Sequence, residues 1–140
     1  MRVNTVAGLL IRGEQVLLVK HGEGAHHVTG VYGLPGGRLD EGESLLDGAA
    51  REFEEETGLS VNKNSMIKIP KIYEAEIPRK NGEILSTSWN VYLVKEASGE
   101  LIKSDETEPE WVYVKTLSKL NLLVNTKEVI EDAYQLLNKT

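Results

Sequence analysis

Three glutamates, Glu52, Glu55 and Glu56, stand in a short acidic run with Arg51 before them and Gly58 behind. Carboxylates this close can hold a hard cation, because oxygen-only donors suit Mg2+ or Mn2+. Their convergence depends on local conformation. Ser44 is a strong helix N-cap, and Asp47 three residues on makes a capping-box-like pair. Gly58 can take the left-handed conformation that ends a helix. The spacing therefore predicts a helix over residues 45–57. At about 100° per residue, Leu46, Ala49, Ala50 and Phe53 share an apolar face, with Leu45 at its edge. Glu52, Glu55 and Glu56 fall within an arc of roughly 100° beside that face, while Asp47 and Glu54 point away.

The cluster is unfavourable by itself. Like charges at these spacings destabilise a helix by about 0.2–0.5 kcal/mol per pair, and negative charge near its C-terminus opposes the macrodipole. Arg51 offsets part of this by pairing with Glu55 or with Asp47, but one arginine cannot balance three glutamates. A bound cation can. No cysteine and no paired histidine spacing points to zinc. The plain alternative is a solvated acidic face, the common fate of an isolated charge run.

The surrounding residues weigh against that alternative. They read Gly37-x5-Glu43-x7-Arg51-Glu52-Phe53-x-Glu55-Glu56-x-Gly58-Leu59. Over residues 37–59 this resembles the signature box of the Nudix hydrolases at every fixed position, with Phe53 and Leu59 in the apolar slots. The resemblance implies a hydrolase that cleaves diphosphate linkages with a divalent metal. It implies that Glu52, Glu55 and Glu56 hold metal and that the Gly37 carbonyl faces it. The Glu43 position supports the helix and reaches a water at the metal, and the Arg51 position orients glutamates through charge-assisted hydrogen bonds.

In some relatives the catalytic base is a box glutamate, which leaves Glu52 and Glu55 as candidates. In others it is an acid from a separate loop. Here Asp105-Glu106-Thr107-Glu108-Pro109-Glu110 reads as an acidic loop, with Glu108 preferred over Glu106 as the base or a further ligand. Leu34-Pro35-Gly36-Gly37 reads as a tight turn that lets backbone approach a ligand. Gly36, Gly37 and Arg38 are candidate phosphate contacts, and a surface ion pair is the alternative for Arg38. Tyr32, Tyr73, Trp89 and Tyr92 offer rings for a nucleobase, with packing in the core the commoner role. Trp111 is expected in the core, and His26-His27 in a glycine-rich loop that is either a cover for substrate or plain solvent loop.

Substrate subtype is less legible. Ala75 stands where many ADP-ribose hydrolases carry a proline downstream of the box. The tyrosine spacing of dinucleoside polyphosphate hydrolases and the coenzyme A signature are not met. The compact chain resembles MutT-like enzymes of nucleoside triphosphates. The expected ligand is a small nucleoside diphosphate derivative. A non-catalytic nucleotide-binding or sensor domain on the same fold is the other class, although such domains usually lose a box glutamate. A helical acidic interaction module has little in its favour.

Composition agrees. The chain has 140 residues, 40% hydrophobic and 27% charged, with no cysteine. That predicts one small domain over residues 1–140, with room for a single core. The net charge of −6 and the lack of a basic stripe disfavour nucleic-acid polymers. No apolar run is long enough for a membrane span. No signal-peptide pattern opens the chain, and the absence of cysteine fits the cytoplasm.

The elements that must position the site read as mixed α/β. Residues 3–11 and 15–19 are strand-like and joined as a hairpin through Arg12-Gly13-Glu14, and residues 21–33 read as loop. Residues 66–77 and 84–95 are strands around an Asn81-Gly82 turn, with Pro70 marking an edge or bulge. Residues 111–114 form a short strand. Asn125 or Thr126 caps a last helix over residues 127–137, with Val129, Ile130, Ala133, Leu136 and Leu137 mostly on one face. The resemblance implies that these stack as a Nudix-type α/β/α sandwich with a mixed sheet, and admits a homodimer through residues 66–95.

Overall fold

The structure is a computed structural model and describes residues 2–23 and 29–138. The His26-His27 pair lies outside the described residues. The chain runs β1 (Val3–Leu9), β2 (Ile11–Arg12), β3 (Gln15–His21), β4 (Tyr32–Gly33), β5 (Gly36–Arg38), then α1 (Leu45–Thr57). It continues through β6 (Ser60–Val61), β7 (Ile67–Lys68), β8 (Tyr73–Pro78), β9 (Ile84–Leu93), β10 (Ala97–Ser98) and β11 (Thr107–Tyr113) to α2 (Thr126–Asn138).

The strands form two larger sheets. In the first, β1 lies parallel to β9 and antiparallel to β5, and both β7 and β8 pair antiparallel with the far edge of β9. In the second, β3 pairs antiparallel with β11, β2 and β4. Central strands covered on both faces should be almost continuously apolar. β1 is buried without a break from Thr5 to Leu9, and β3 from Val16 to Val19. The edge strand β8 alternates buried and exposed along its whole length, as a one-sided antiparallel strand should.

Helices cover both faces of this strand layer. Ala49, Ala50 and Phe53 of α1 join Val6, Leu10 and Leu17 in one cluster. Val129, Ile130 and Ala133 of α2 join Ala7, Leu9, Val16 and Leu18 in the other. Neighbouring residues of β1 and β3 thus point to opposite clusters, as the period of a strand requires. The result is the expected α/β/α sandwich. Gly8 lets α1 sit close, since a Cβ there would lie 2.8 Å from the Phe53 ring.

Three local expectations change. The hairpin exists only at its tip, where Ile11 and Arg12 of β2 meet Val16 and Gln15; β1 belongs to the other sheet. The strand direction breaks at Leu10, whose carbonyl accepts from the Leu17 amide at 3.0 Å. The loop after residue 21 is shorter than expected, because Tyr32 and Gly33 pair with Lys20 and Val19. Finally, β11 begins at Thr107 rather than Trp111, since its partner β3 offers paired residues as far as His21.

The bulge expected at Pro70 is present. Lys68 faces Tyr92 and Tyr73 faces Trp89, so residues 69–72 stand opposite only Asn90 and Val91. Gly82 takes φ 88° in the β8–β9 turn. At the C-terminal end, α2 starts one residue earlier than the spacing predicts, after Asn125 with φ 73°.

Candidate functional site

The acidic helix forms as its capping residues dictate. The Ser44 hydroxyl accepts from the Asp47 amide at 3.1 Å. Gly58 closes the helix at φ 86°, its amide donating to the Glu54 carbonyl. Phe53 is buried, which fixes the rotation of the helix and sets Glu52 and Glu56 toward the β5 edge. The two outward acids are used locally: Asp47 pairs with Lys63 at 2.7 Å, and Glu54 accepts from the Val61 amide at 2.9 Å.

Arg51 is the hub of the cluster. Its Nε and Nη2 grip both oxygens of Glu43, at 2.7 and 2.9 Å. Nη1 reaches Glu52 at 2.9 Å and Glu55 at 3.2 Å. Nη2 also donates to the Arg38 carbonyl at 3.2 Å, and Asp40 lies 3.3 Å from Nε. Of the two partners expected from helical spacing, Glu55 is taken and Asp47 is not. Glu43 also receives the Asp40 amide at 2.9 Å. Held mainly by its Arg51 hydrogen bonds, its carboxyl drops to a pKa of about 2.

Gly36 and Gly37 lie in β5 rather than in a tight turn, paired with Ala7 and Val6 of β1. Their role is close approach. A Cβ on Gly36 would sit 2.2 Å from the Val6 carbonyl oxygen, and one on Gly37 would sit 2.7 Å from Glu52 Oε2. The Gly36 amide donates to Glu56 at 2.7 Å. Burial raises the Glu56 carboxyl to a pKa of about 8 against that hydrogen bond, and Glu52, Glu106 and Glu55 add repulsion. Burial also raises Glu52, with Arg51 opposing it.

These groups open on a cavity of about 350 Å3. Gly36, Gly37, Arg38, Glu52 and Glu56 form one wall, and His21, Glu106 and Thr107 another. Ile77, Arg79, Leu85, Thr87 and Trp89 from the β8–β9 ribbon form a third, with Thr5 beside them. Among the expected rings, Trp89 alone lines this space. Tyr73 is 2% exposed and donates to Asp132 at 2.6 Å. Tyr32 donates to Glu110 at 2.8 Å, and Tyr92 and Trp111 pack against the α1 cluster.

The structure separates the two acids proposed from the loop. Glu106 lines the cavity. Glu108 does not: it lies within β11, opposite Lys20, and pairs with Lys103 at 3.1 Å. The reading of residues 105–110 as one loop misplaced it, because strand alternation from Thr107 onward sends Glu108 and Thr107 to opposite faces. Glu55 stands at the rim, its side chain 59% exposed. His21 and Arg79 escaped the sequence reading; each stands two residues beyond a predicted strand, and polarity there was their only signal.

The donor chemistry fits a divalent cation. Glu52 and Glu56, both raised by burial, lie beside Gly36 and Gly37 of β5, and Glu106 lines the same cavity. Burial penalises the charged forms, and a cation beside them reverses that penalty. Among the described residues no three acids or histidines are gathered as a ready ligand set. Arg51 draws Glu52 and Glu55 one way, and the Gly36 amide draws Glu56 another.

Comparison with known proteins finds relatives in sequence and in fold. Nudix hydrolase 6 of Arabidopsis thaliana is 30% identical over 95 residues, 54% of this chain and 34% of that protein. The ADP-ribose pyrophosphatase of Methanocaldococcus jannaschii is 28% identical over 116 residues, 82% of this chain and 64% of that protein. The chain thus spans less than two thirds of either. The 8-oxo-dGTP diphosphatase of Buchnera aphidicola is 22% identical over 134 residues, 96% of this chain and 95% of that protein. The crystal structure of a MutT NUDIX hydrolase from Burkholderia pseudomallei superposes with a TM-score of 0.77 at 24% identity, over 94% of this chain and 98% of that one; this likeness concerns the fold. The family model of the NUDIX domain matches residues 1–133, and the chain belongs to the Nudix family.

Proposed function

We propose that the chain is a metal-dependent hydrolase that cleaves the diphosphate linkage of a nucleoside diphosphate joined to another group. The observation that carries this reading is the pair Glu52 and Glu56, half-sequestered beside Gly36–Gly37 and lining one cavity with Glu106. Glu52, Glu55 and Glu56, with the Gly37 carbonyl, would hold Mg2+, or Mn2+ in its place. The bound cation supplies neutralisation of phosphate oxygens and a water of lowered pKa.

The chain's own residues do the rest. Arg51 orients Glu52 and Glu55 by hydrogen bonds, and Glu43 holds Arg51 by a two-point grip. Glu106, which lines the cavity, would take a proton from the attacking water, with Glu52 the box alternative. Arg38 stands at the rim, where a phosphate would enter. ADP-ribose and nucleoside triphosphates are the substrates to try first, since relatives carry the names ADP-ribose pyrophosphatase and 8-oxo-dGTP diphosphatase.

The test measures product release from nucleoside triphosphates, nucleotide sugars, ADP-ribose and dinucleoside polyphosphates with Mg2+ or Mn2+, for wild type and Glu55→Gln. Metal-dependent cleavage that collapses in the variant supports the reading. Nucleotide binding with no turnover on any compound would replace it with a non-catalytic binding domain.

A further inference from the structure

The β8–β9 hairpin ends in two adjacent cations that are used differently. Lys80 is spent on the protein: its ammonium donates to the Glu23 carbonyl at 2.7 Å and to the Gly22 carbonyl at 3.4 Å. This ties the hairpin tip to the chain leaving β3. Arg79 is half-buried and lines the cavity that holds Glu52, Glu56 and Glu106. Its guanidinium makes no ion pair or side-chain hydrogen bond with any described residue. Its backbone is fixed on both sides of the turn: the amide donates to the Glu83 carbonyl at 2.9 Å, and the carbonyl accepts from Gly82 at 3.0 Å.

A partly desolvated guanidinium left without an anion in a chain of net charge −6 is costly. Its planar fork matches two oxygens of a phosphate. Beside it, Ile77, Leu85 and the half-exposed Trp89 make the apolar part of the same cavity. An apolar wall beside one fixed cation suits a flat group that carries a phosphate.

Resting on the hydrolase reading for the location of the substrate, we infer that Arg79 anchors a phosphate of the substrate's diphosphate, while Trp89 receives its base. Arg79 is then a binding and specificity residue on the β8–β9 wall of the cavity. The substrate class is a diphosphate bearing an aromatic base, so of these two residues a bare polyphosphate engages Arg79 alone and a nucleoside Trp89 alone.

The experiment uses the Mg2+-loaded protein and isothermal titration. ADP, GDP and CDP are compared first, and the tightest is carried on with its parent nucleoside and with inorganic pyrophosphate. Arg79→Ala should weaken the nucleotide and pyrophosphate by roughly 10- to 100-fold and leave the nucleoside unchanged, with Arg79→Lys recovering part of the loss. Trp89→Ala should weaken nucleotide and nucleoside but not pyrophosphate. Mn2+ affinity, read by electron paramagnetic resonance, should be the same in all. If Arg79→Ala does not fold, Arg79→Gln carries the same comparison. Nucleotide affinity within twofold of wild type in the arginine variant, or equal loss of nucleotide and nucleoside, overturns the assignment, as does wild type that binds none of the three nucleotides. Wild type that shows the predicted pattern but hydrolyses nothing removes the hydrolase reading and keeps Arg79. Wild type that hydrolyses, with KM unchanged by Arg79→Ala, removes Arg79 alone.

Discussion

At the scale of single residues, Arg51 explains how one helix tolerates its acids. Glu43, Glu52 and Glu55 all reach its guanidinium, so each unit of repulsion is met by a shared donor. Glu56 has no such partner; it takes the Gly36 amide and answers its burial with a raised pKa. The separation of Glu106 from Glu108 makes a direct prediction. Glu106→Gln should lower kcat by about 100-fold or more, the usual scale for a positioned proton acceptor. Glu108→Gln should stay within about twofold, because its contact is an exposed pair with Lys103. Equal losses in steady-state assays would return the base to the box.

Glu43 makes a pH prediction. Its folded pKa of about 2 lies below the ordinary value of 4.5. Above pH 4.5 both folded and unfolded forms are ionised and the Arg51 interaction contributes in full. As pH falls from 4.5 toward 2, the unfolded state takes up the proton first, so this contribution is progressively lost. Urea midpoints should therefore show wild type above Glu43→Gln at pH 6, with the gap closing as pH falls toward 2. A gap that widens in acid would refute the assignment.

At the scale of elements, α1 supplies the carboxylates and β5 the surface they lean on. The helix ends are conventional: Ser44→Ala should cost about 1 kcal/mol in urea denaturation, as for other N-cap hydroxyls. The two glycines of β5 should behave differently from each other. Gly36→Ala drives a methyl into the Val6 carbonyl and Ala7, so it should break the β1–β5 pairing and lower the melting temperature. Gly37→Ala meets the Glu52 carboxylate, a movable side chain. It should keep the circular dichroism spectrum and melting temperature near wild type while cutting metal affinity by roughly tenfold or more, by analogy with loss of a ligand-orienting group. Loss of folding in Gly37→Ala with a sound Gly36→Ala would reverse the two roles.

At the scale of the molecule, the two-sided strand layer holds α1 still while the β8–β9 ribbon and the end of β3 build the rest of the cavity. No described helix is long and apolar enough to cross a membrane. A cation at the proposed site binds only the folded chain, so it should stabilise by mass action. At a hundredfold excess over Kd the gain is about 2.7 kcal/mol, which should raise the melting temperature by several degrees. Chelation with EDTA should reverse the shift, and Glu52→Gln combined with Glu56→Gln should abolish it in differential scanning fluorimetry. A shift that survives the double substitution would place the cation elsewhere.

The local parts of this molecule were legible from the chain alone. Helix α1 and its caps follow from Ser44, Phe53 and Gly58, because capping and 3.6-residue periodicity act over a few neighbouring positions. The β8–β9 turn and the Pro70 bulge follow for the same reason, from Asn81-Gly82 and a missing donor. Nothing local could reveal that β1 leaves its hairpin partner to lie parallel to β9, since that pairing joins residues more than eighty positions apart. The start of β11 was hidden likewise: Thr107 and Glu108 look like loop until β3 offers them partners. That pairing put Glu108 inside a strand, with its neighbour Thr107 on the cavity side. The pairing of β9 with β1 and of β8 with β9 brought Arg79 and Trp89 into one cavity with Glu52 and Glu56, a juxtaposition set by how sheets and helix pack rather than by any spacing along the chain.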